Sequence, residues 1–267
     1  NGAGKTTTIL MLLGLTEPTS GHVRVMGFNP TRDPLKVKRL AGYLPENLGL
    51  YGDLPGEDNL WYIARLNGLD RREATRKIAE SLELVGMTRA ARQRVETYSK
   101  GMKQRLALAG VLLKDPKLVF LDEPTSGLDP EAARHILDLI TRMSQQQNIT
   151  VFICSHLLYQ VQQICNRMGI MSQGKLVAQG TLEDLGKAAM GGRSIVEIDL
   201  GKVTPALLDK LKAVEGVTNL NVSGNSVAVE CQDDVRAKVA QAVTSGGGQL
   251  LGLKARGYGL EEVYLKY

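Results

Sequence analysis

The sequence predicts an α/β fold, in which helices flank a parallel sheet, with an inserted helical subdomain and a small C-terminal α+β domain. Three observations support this class. The run Leu118–Leu121 is short and entirely apolar, as a strand buried on both faces requires. A glycine-rich turn at the start leads into an apolar helix, and strands alternate with helices after Leu121. The 267 residues, 43% of them apolar, suffice for one large domain or two unequal ones.

The glycine-rich turn is a phosphate loop. It matches the later positions of G-x-x-x-x-G-K-[ST] at Asn1, Gly2, Ala3, Gly4, Lys5, Thr6 and Thr7. Its small residues let backbone N–H groups surround phosphate oxygens, and the following helix points its positive end at them. Lys5 adds a charge between the β- and γ-phosphates, and the Thr6 hydroxyl is the expected Mg²⁺ ligand. Because the first glycine and the preceding strand are missing from the pattern, we expect an N-terminal truncation.

The strand at Leu118–Leu121 ends in two acids, Asp122 and Glu123. Open parallel sheets bind ligands beyond the carboxyl ends of their strands, so both acids are expected beside the phosphate loop. Asp122 would hold Mg²⁺ through its water shell, and Glu123 would orient and deprotonate the water that attacks the γ-phosphate. The two motifs together predict a P-loop NTPase (RecA-like) core that binds ATP and Mg²⁺.

The remaining elements of the first domain, predicted at residues 1–188, follow in order. Further strands are predicted at Gly21–Gly27, Leu40–Leu44, Ile149–Cys154, Met168–Met171 and Lys175–Gln179, the last two completing the core. Two apolar stripes, one ending at Gly86 and one at Leu113, predict the helical subdomain at about residues 55–115. A helix at Pro130–Gln146 follows, and right-handed crossovers would place helices on both faces of the sheet.

A second domain is predicted at residues 193–267, after a shift to small residues around Gly186–Gly192. Its order is β-α-β-β-α-β, which predicts a ferredoxin-like domain with a closing helix at Leu260–Lys266. The strands and helices are predicted at Ile195–Leu200, from Pro205, at Val217–Val222, at Ser226–Cys231, from Asp233 and at Gln249–Leu253. We interpret this accessory domain as regulatory or dimer-supporting.

Charge, cysteine content and hydropathy limit the classes of function that the sequence supports. The net charge of +5 is modest and the basic residues are scattered, so charge alone does not indicate nucleic-acid binding. Cys154, Cys165 and Cys231 lack metal-ligand spacing, which predicts reduced thiols and no zinc site. No apolar stretch approaches the roughly 18 residues that span a bilayer.

Three further motifs carry a family resemblance. The segment Thr97–Arg105 precedes a helix, Leu121–Asp129 continues the acidic motif, and Cys154-Ser155-His156 ends a predicted strand. In this order and spacing, residues from Asn1 to about Leu185 resemble the ATP-binding cassette (ABC) ATPases of membrane transporters. The resemblance implies a head-to-tail dimer of two ATPase subunits that drives a transmembrane permease subunit. It also implies a cytoplasmic position, peripheral on the inner face of the cell membrane.

The resemblance assigns roles to particular residues. Ser99, Lys100, Gly101 and Met102 form the signature loop, of which Ser99 and Gly101 contact the γ-phosphate of the ATP held by the opposite subunit. His156 is the switch histidine that contacts the γ-phosphate. Asp129 is the dimer-loop residue, and it also reads as the N-cap before Pro130.

The sequence departs from the usual family pattern at three positions. Lys100 stands where glycine is common, Met102 where glutamine is common, and Glu46 where a glutamine contacts Mg²⁺ and the attacking water. Glu46 keeps an oxygen ligand but adds charge. These variants resemble the branch with ABC-2 exporter-type membrane partners. Two alternatives stay open: a non-transport ABC ATPase acting on ribosomes or nucleic acid, and a degenerate subunit that does not hydrolyse ATP.

Overall fold

The computed structural model describes residues 2–189, 194–232, 235–255 and 260–266. The chain divides into two compact units, Asn1–Ile164 and Cys165–Tyr267. The division falls earlier in the chain than the domain boundary predicted between residues 188 and 193, and the two predicted domains remain a prediction.

The first unit alternates helices and strands. Its helices are α1 (Lys5–Leu12), α2 (Pro34–Leu40), α3 (Gly56–Leu66), α4 (Arg71–Leu84), α5 (Lys100–Leu112), α6 (Pro130–Gln146) and α7 (Leu158–Ile164), with short 3-10 helices at Thr88–Ala90 and Val95–Thr97. Its strands are β1 (Ala41–Leu44), β2 (Leu118–Asp122) and β3 (Thr150–Cys154). They form a parallel sheet in the order β1-β2-β3.

The sheet is covered on both faces because side chains alternate along β2. Phe120 packs with Ile9 of α1 and Val37 of α2 on one face. Val119 and Leu121 pack on the other face with residues of α5 and α6. The predicted helices on both faces of the sheet are therefore confirmed.

The helical subdomain consists of α3, α4 and α5, which pack against one another. The Asp70 carboxylate caps α4 by accepting a hydrogen bond from the Glu73 N–H at 2.8 Å. Both predicted apolar stripes are buried; they comprise Ala74, Ile78, Leu82 and Val85, and Leu106, Ala109, Gly110 and Leu113. Their spacing identified the helices because one side of each must face the same core.

The strand predicted at Gly21–Gly27 is wrong. Residues 25–28 instead form a tight turn in which Val25 and Phe28 exchange two backbone hydrogen bonds of 2.9 Å. Met26 (φ 50°) and Gly27 (φ 85°) are both left-handed, as a two-residue hairpin turn requires. The turn was not predictable from the sequence, because methionine seldom adopts the left-handed conformation that Met26 has here.

The second unit contains β4 (Met168–Ser172), β5 (Lys175–Gly180) and α8 (Leu182–Ala189). Within the described residues, β4 and β5 pair antiparallel with each other and do not extend the parallel core, contrary to the prediction. The remaining elements are β6 (Ser194–Leu200), α9 (Pro205–Lys212), β7 (Val217–Ser223), β8 (Ser226–Cys231), α10 (Arg236–Ser245), β9 (Leu250–Ala255) and α11 (Leu260–Lys266). The predicted helix start at Asp233 lies outside the described residues.

The strands β6 to β9 form an antiparallel sheet in the order β7-β8-β6-β9. This order, with α9 and α10 as the two connections, is that of the predicted ferredoxin-like β-α-β-β-α-β arrangement. The final helix α11 buries Leu260 and Val263, and Val263 packs with Ile170 of β4 and Leu185 of α8.

In the part of the chain that the structure describes, no helix combines the length and hydropathy needed to cross a bilayer.

Candidate active site

The phosphate loop turns sharply into α1. Gly2 (φ 76°) and Gly4 (φ 90°) are both left-handed, a conformation that L side chains rarely adopt. The Gly4 carbonyl accepts hydrogen bonds from the N–H and the hydroxyl of Thr8, both at 2.9 Å, so the helix begins at Lys5. The first turn of α1 has no acidic side chain to offset its positive end. Ala3 lies in the loop before α1 and Thr7 in the first turn of that helix, whereas Asn1 lies outside the described residues.

Thr6 and Asp122 meet although 116 positions separate them. The Thr6 hydroxyl donates a 2.7 Å hydrogen bond to Asp122 Oδ2. Asp122 is 2% exposed, and its other oxygen, Oδ1, is buried without a hydrogen-bond partner among the described residues. A buried carboxylate oxygen is costly unless it is paired, so Oδ1 is suited to bind a metal ion or a hydrogen-bond donor.

The donor set fits Mg²⁺, a hard cation that prefers carboxylate and hydroxyl oxygens. Asp122 and Thr6 would hold the ion, directly or through water, and when bound it neutralises charge on the phosphates. Glu46 is exposed two residues beyond β1, whose last residue Leu44 lies beside Leu121. Glu46 therefore lies at the same carboxyl edge of the sheet as Asp122.

Glu123 and His156 form a second close pair. Glu123 Oε2 lies 2.8 Å from Nδ1 of His156 and accepts a 3.3 Å hydrogen bond from its backbone N–H. The Glu123 side chain is only 11% exposed, whereas that of His156 is 49% exposed. Adjacent β2 and β3 produce this contact, because the Glu123 N–H also donates to the Cys154 carbonyl at 2.8 Å. Glu123 has a left-handed backbone (φ 50°), a strained conformation for glutamate that is common at functional sites.

Burial and the nearby charges shift the pKa values of Cys154 and Tyr43. Burial, together with the nearby charges of Asp122 and Glu123, raises the pKa of the Cys154 thiol to about 12, against the opposing effect of Lys5. The pKa of the Tyr43 phenol is also raised, first by burial and then by Asp122 and Cys154. Both groups therefore stay neutral at physiological pH.

The signature loop faces solvent in the single chain. The Ser99 hydroxyl caps α5 by accepting a 3.2 Å hydrogen bond from the Met102 N–H. Ser99 and Lys100 are exposed, and Gly101 is buried against Ala132. Among the described residues, no hydrogen bond or ion pair joins the signature loop to the phosphate loop or to Glu123. The first turn of α5 has no acidic side chain, so its positive end suits an external anion beside the Ser99 cap.

The predicted dimer-loop residue, Asp129, caps α6 by accepting a 2.9 Å hydrogen bond from the Ala132 N–H. Sequence reasoning missed a contact nearby, in which the buried Thr125 hydroxyl donates to the side-chain oxygen of Gln160 on α7. This contact links the turn after Glu123 to the helix after His156. Only a known three-dimensional neighbourhood could have revealed it, since Gln160 stands in no motif.

Residues suited to bind phosphate, a metal ion and a water nucleophile thus converge at one edge of a parallel sheet. That convergence defines a P-loop ATPase. Among known families, the one described as ABC transporter matches residues 1–126. The linearmycin resistance ATP-binding protein LnrL of Bacillus subtilis (strain 168) is 33% identical over 99% of this chain and 86% of its own length. The chain therefore belongs to the ABC transporter family.

Other similar proteins are also ATP-binding proteins or parts of transporters. The bacitracin transport ATP-binding protein BcrA of Bacillus licheniformis is 39% identical over 78% of this chain and 66% of its own length. A solved ATP-binding subunit of an ABC transporter is 33% identical, with a TM-score of 0.62 over 72% of this chain and 79% of that one. CbiO1 of Clostridium perfringens, described as part of the transporter complex CbiONQ, is 26% identical, with a TM-score of 0.64 over 69% and 75%.

The resemblance inferred from the motifs is thereby confirmed, as is the predicted fold class. The chain is the ATP-binding and ATP-hydrolysing subunit of an ABC transporter, with ATP and Mg²⁺ as its ligands. The comparisons do not favour a non-transport ATPase acting on ribosomes or nucleic acid.

Proposed function

We propose that two copies of this chain bind two ATP molecules between them, head to tail, and that this dimer drives a separate membrane subunit. The supporting observation is the exposed N-terminus of α5 at Ser99, whose first turn carries no acidic side chain and which no hydrogen bond or ion pair joins to the phosphate loop within the described residues. An ATP held by one copy offers the anion that this helix end lacks, so nucleotide holds two surfaces together.

In this proposal each group of residues has its own role in binding ATP, the metal ion or the second copy. The phosphate loop, Asn1 to Thr7, binds the phosphates of its own ATP, with Lys5 between the β- and γ-phosphates. Ser99 and Gly101 contact the γ-phosphate of the other copy's ATP, with Lys100 and Met102 beside them, and Asp129 lies at the contact between copies. Glu46 supplies a further oxygen near the metal and the attacking water.

The water nucleophile is assigned to Glu123. Its carboxylate is nearly buried and accepts hydrogen bonds from both the side chain and the backbone of His156, so its orientation is set before water binds. Glu123 takes the proton of the attacking water, and His156 holds that carboxylate and contacts the γ-phosphate. Rigid positioning of this kind supplies most of the catalysis in phosphoryl transfer.

The test is Glu123→Gln, which keeps the side chain's shape and removes the base. We expect ATP hydrolysis to fall at least about 100-fold, because general-base catalysis contributes that much, while ATP accumulates in a stable dimer. Turnover by phosphate release and dimer mass by light scattering measure both effects. The matched control is Glu215→Gln, a 90% exposed glutamate in the second unit. Undiminished hydrolysis in Glu123→Gln would remove Glu123 from this role.

We further propose that the membrane partner is an ABC-2 exporter-type permease and that the dimer lies on the inner face of the cell membrane. Glu46, Lys100 and Met102 support this branch, and the named relatives act in resistance to linearmycin and transport of bacitracin. Affinity purification of the tagged chain from detergent-solubilised membranes should recover a permease of this type. If only a membrane protein of another type co-purifies, the ABC-2 assignment is wrong.

A further inference from the structure

Tyr98 immediately precedes the signature loop and is almost fully enclosed. It is 5% exposed and packs in the core of the helical subdomain. Its hydroxyl donates a 2.6 Å hydrogen bond to the Ala90 carbonyl. Ser99, the next residue, is exposed. The chain therefore changes from buried to exposed within one step, and Tyr98 is the last side chain anchored before the loop.

Gly56 leaves the space that the Tyr98 hydroxyl occupies. A Cβ atom on Gly56 would lie 2.4 Å from that hydroxyl and 3.3 Å from both the ring carbon Cζ and the Ala91 carbonyl oxygen. Gly56 is the first residue of α3 and does not have a left-handed backbone. Glycine is therefore not needed here for its conformation, and alanine would otherwise favour the helix. Space for the phenol accounts for the glycine.

The chain segments around this contact are held together by backbone hydrogen bonds. The N–H groups of Glu57 and Gly56 donate to the carbonyls of Ala91 and Gln93 at 2.8 and 3.2 Å. Further along, the Val95 N–H donates to the Leu54 carbonyl at 3.0 Å, and the Glu96 N–H to that of Gly52 at 2.8 Å. The start of α3 is thus a rigid support for the segment that leads into Ser99.

We propose that Tyr98 is a positioning residue for the signature loop, with its phenol held between the Ala90 carbonyl and Gly56. This inference rests on the proposed role of Ser99 in contacting the other copy's ATP. Tyr98 sets where Ser99 and the first N–H groups of α5 stand. It therefore controls the affinity of one copy for the ATP bound by the other, and leaves the affinity of the phosphate loop for its own nucleotide unchanged.

Two equilibria separate these effects. Binding of ADP reports on the phosphate loop alone, because ADP lacks the γ-phosphate that the signature loop would contact. The ATP concentration at half-maximal dimer formation, measured in the Glu123→Gln background, also reports on the signature loop. Tyr98→Phe should raise that concentration about fivefold, the effect of one lost hydrogen bond. Gly56→Ala should raise it more, at least about tenfold, since it displaces the whole phenol. ADP affinity should stay unchanged in both.

The double variant, Gly56→Ala with Tyr98→Phe, tests the contact between these two residues most directly. Removing the hydroxyl by Tyr98→Phe relieves the 2.4 Å clash that Gly56→Ala creates, so the pair should perform about as well as Tyr98→Phe alone. Gly52→Ala is the matched glycine control, because its Cβ would meet Glu96 only at an ordinary 3.6 Å. Tyr264→Phe, at a 49% exposed tyrosine, is the matched phenol control. Neither control should change dimer formation.

Strictly additive effects of Gly56→Ala and Tyr98→Phe would overturn the inference, as would a parallel fall in ADP affinity. Ser99→Ala distinguishes this failure from that of the proposed function. If Ser99→Ala weakens ATP-driven dimer formation but Tyr98→Phe and Gly56→Ala do not, only the positioning role is wrong. If Ser99→Ala has no effect either, the proposed contact with the opposite ATP is itself wrong.

Discussion

At the scale of single residues, the Asp122 carboxylate suits metal binding but lowers the stability of the nucleotide-free protein. Its carboxylate is 2% exposed, and Oδ1 has no hydrogen-bond partner in the described part of the chain. Without nucleotide and metal, that buried charge is destabilising. We expect Asp122→Asn to stabilise the nucleotide-free protein by about 1 kcal/mol, because the neutral amide costs less to bury. Thermal unfolding with and without Mg²⁺-ATP measures this effect.

The same variant should lose most of the stabilisation that Mg²⁺-ATP provides, because the metal loses its charged ligand. Asp138→Asn, on α6 outside the site, controls for the general effect of the substitution. A nucleotide-free protein made less stable by Asp122→Asn would show that the carboxylate is satisfied before ligands bind.

Single residues were predictable where a motif specifies the chemistry. Thr6, Asp122, Glu123 and His156 were selected from the sequence, and the structure joins them as two hydrogen-bonded pairs. The approach of Asp122 to Thr6 follows from the predicted position of the acids beside the phosphate loop, whereas the pairing of Glu123 with His156 was not predictable, because it depends on β2 and β3 lying side by side. The left-handed backbone of Glu123 was not predictable either, because no local sequence signal marks a strained glutamate.

At the scale of elements, Asn59 holds the loop before α3 to the helical subdomain. This asparagine is 2% exposed, and its side chain makes hydrogen bonds of 2.8 to 3.0 Å to both backbone groups of Tyr51 and to the Pro55 carbonyl. Asn59→Ala should lower the free energy of unfolding by about 2 to 3 kcal/mol, because it removes three bonds and leaves buried groups unpaired.

Denaturant unfolding followed by intrinsic fluorescence measures this loss. Asn67→Ala, at the C-cap of the same helix, is the matched control, since the Asn67 side chain is exposed and among the described residues bonds only the Ile63 carbonyl; we expect a change of less than about 0.5 kcal/mol. Equal losses in the two variants would mean that Asn59 does not tie the loop to the helix.

Elements were predictable where their pattern is long or fully apolar. The stripes of α4 and α5 and the strand β2 are such patterns, and the helix at Pro130–Gln146 was predicted with the observed bounds. The seven-residue helices α2 and α7 carry too few turns to show a period. A two-residue turn at Gln173 and Gly174, both left-handed, pairs β4 with β5, and strand signals in the sequence do not by themselves identify the partner of a strand.

At the scale of the whole molecule, the proposed dimer makes each ATP site from two copies, Lys5 of one and Ser99 of the other. Pure Lys5→Ala and pure Ser99→Ala proteins should both be inactive, because every site lacks one side. A mixed dimer regains one intact site, which joins Lys5 of the Ser99→Ala copy to Ser99 of the Lys5→Ala copy. Since an equal mixture contains half mixed dimers with one working site each, we expect about a quarter of the parent ATPase activity.

Titration of one variant against the other at constant total protein should therefore give an activity maximum at equal amounts. The control mixture is Lys5→Ala with Glu123→Gln. These two residues belong to the same copy's side of a site, so every site in their mixed dimers is defective and no activity should return. Recovery in the control mixture, or none in the first mixture when mixed dimers are present, would contradict the head-to-tail arrangement. The comparison separates sites shared between copies from sites completed within one copy, because only shared sites let two inactive subunits repair each other.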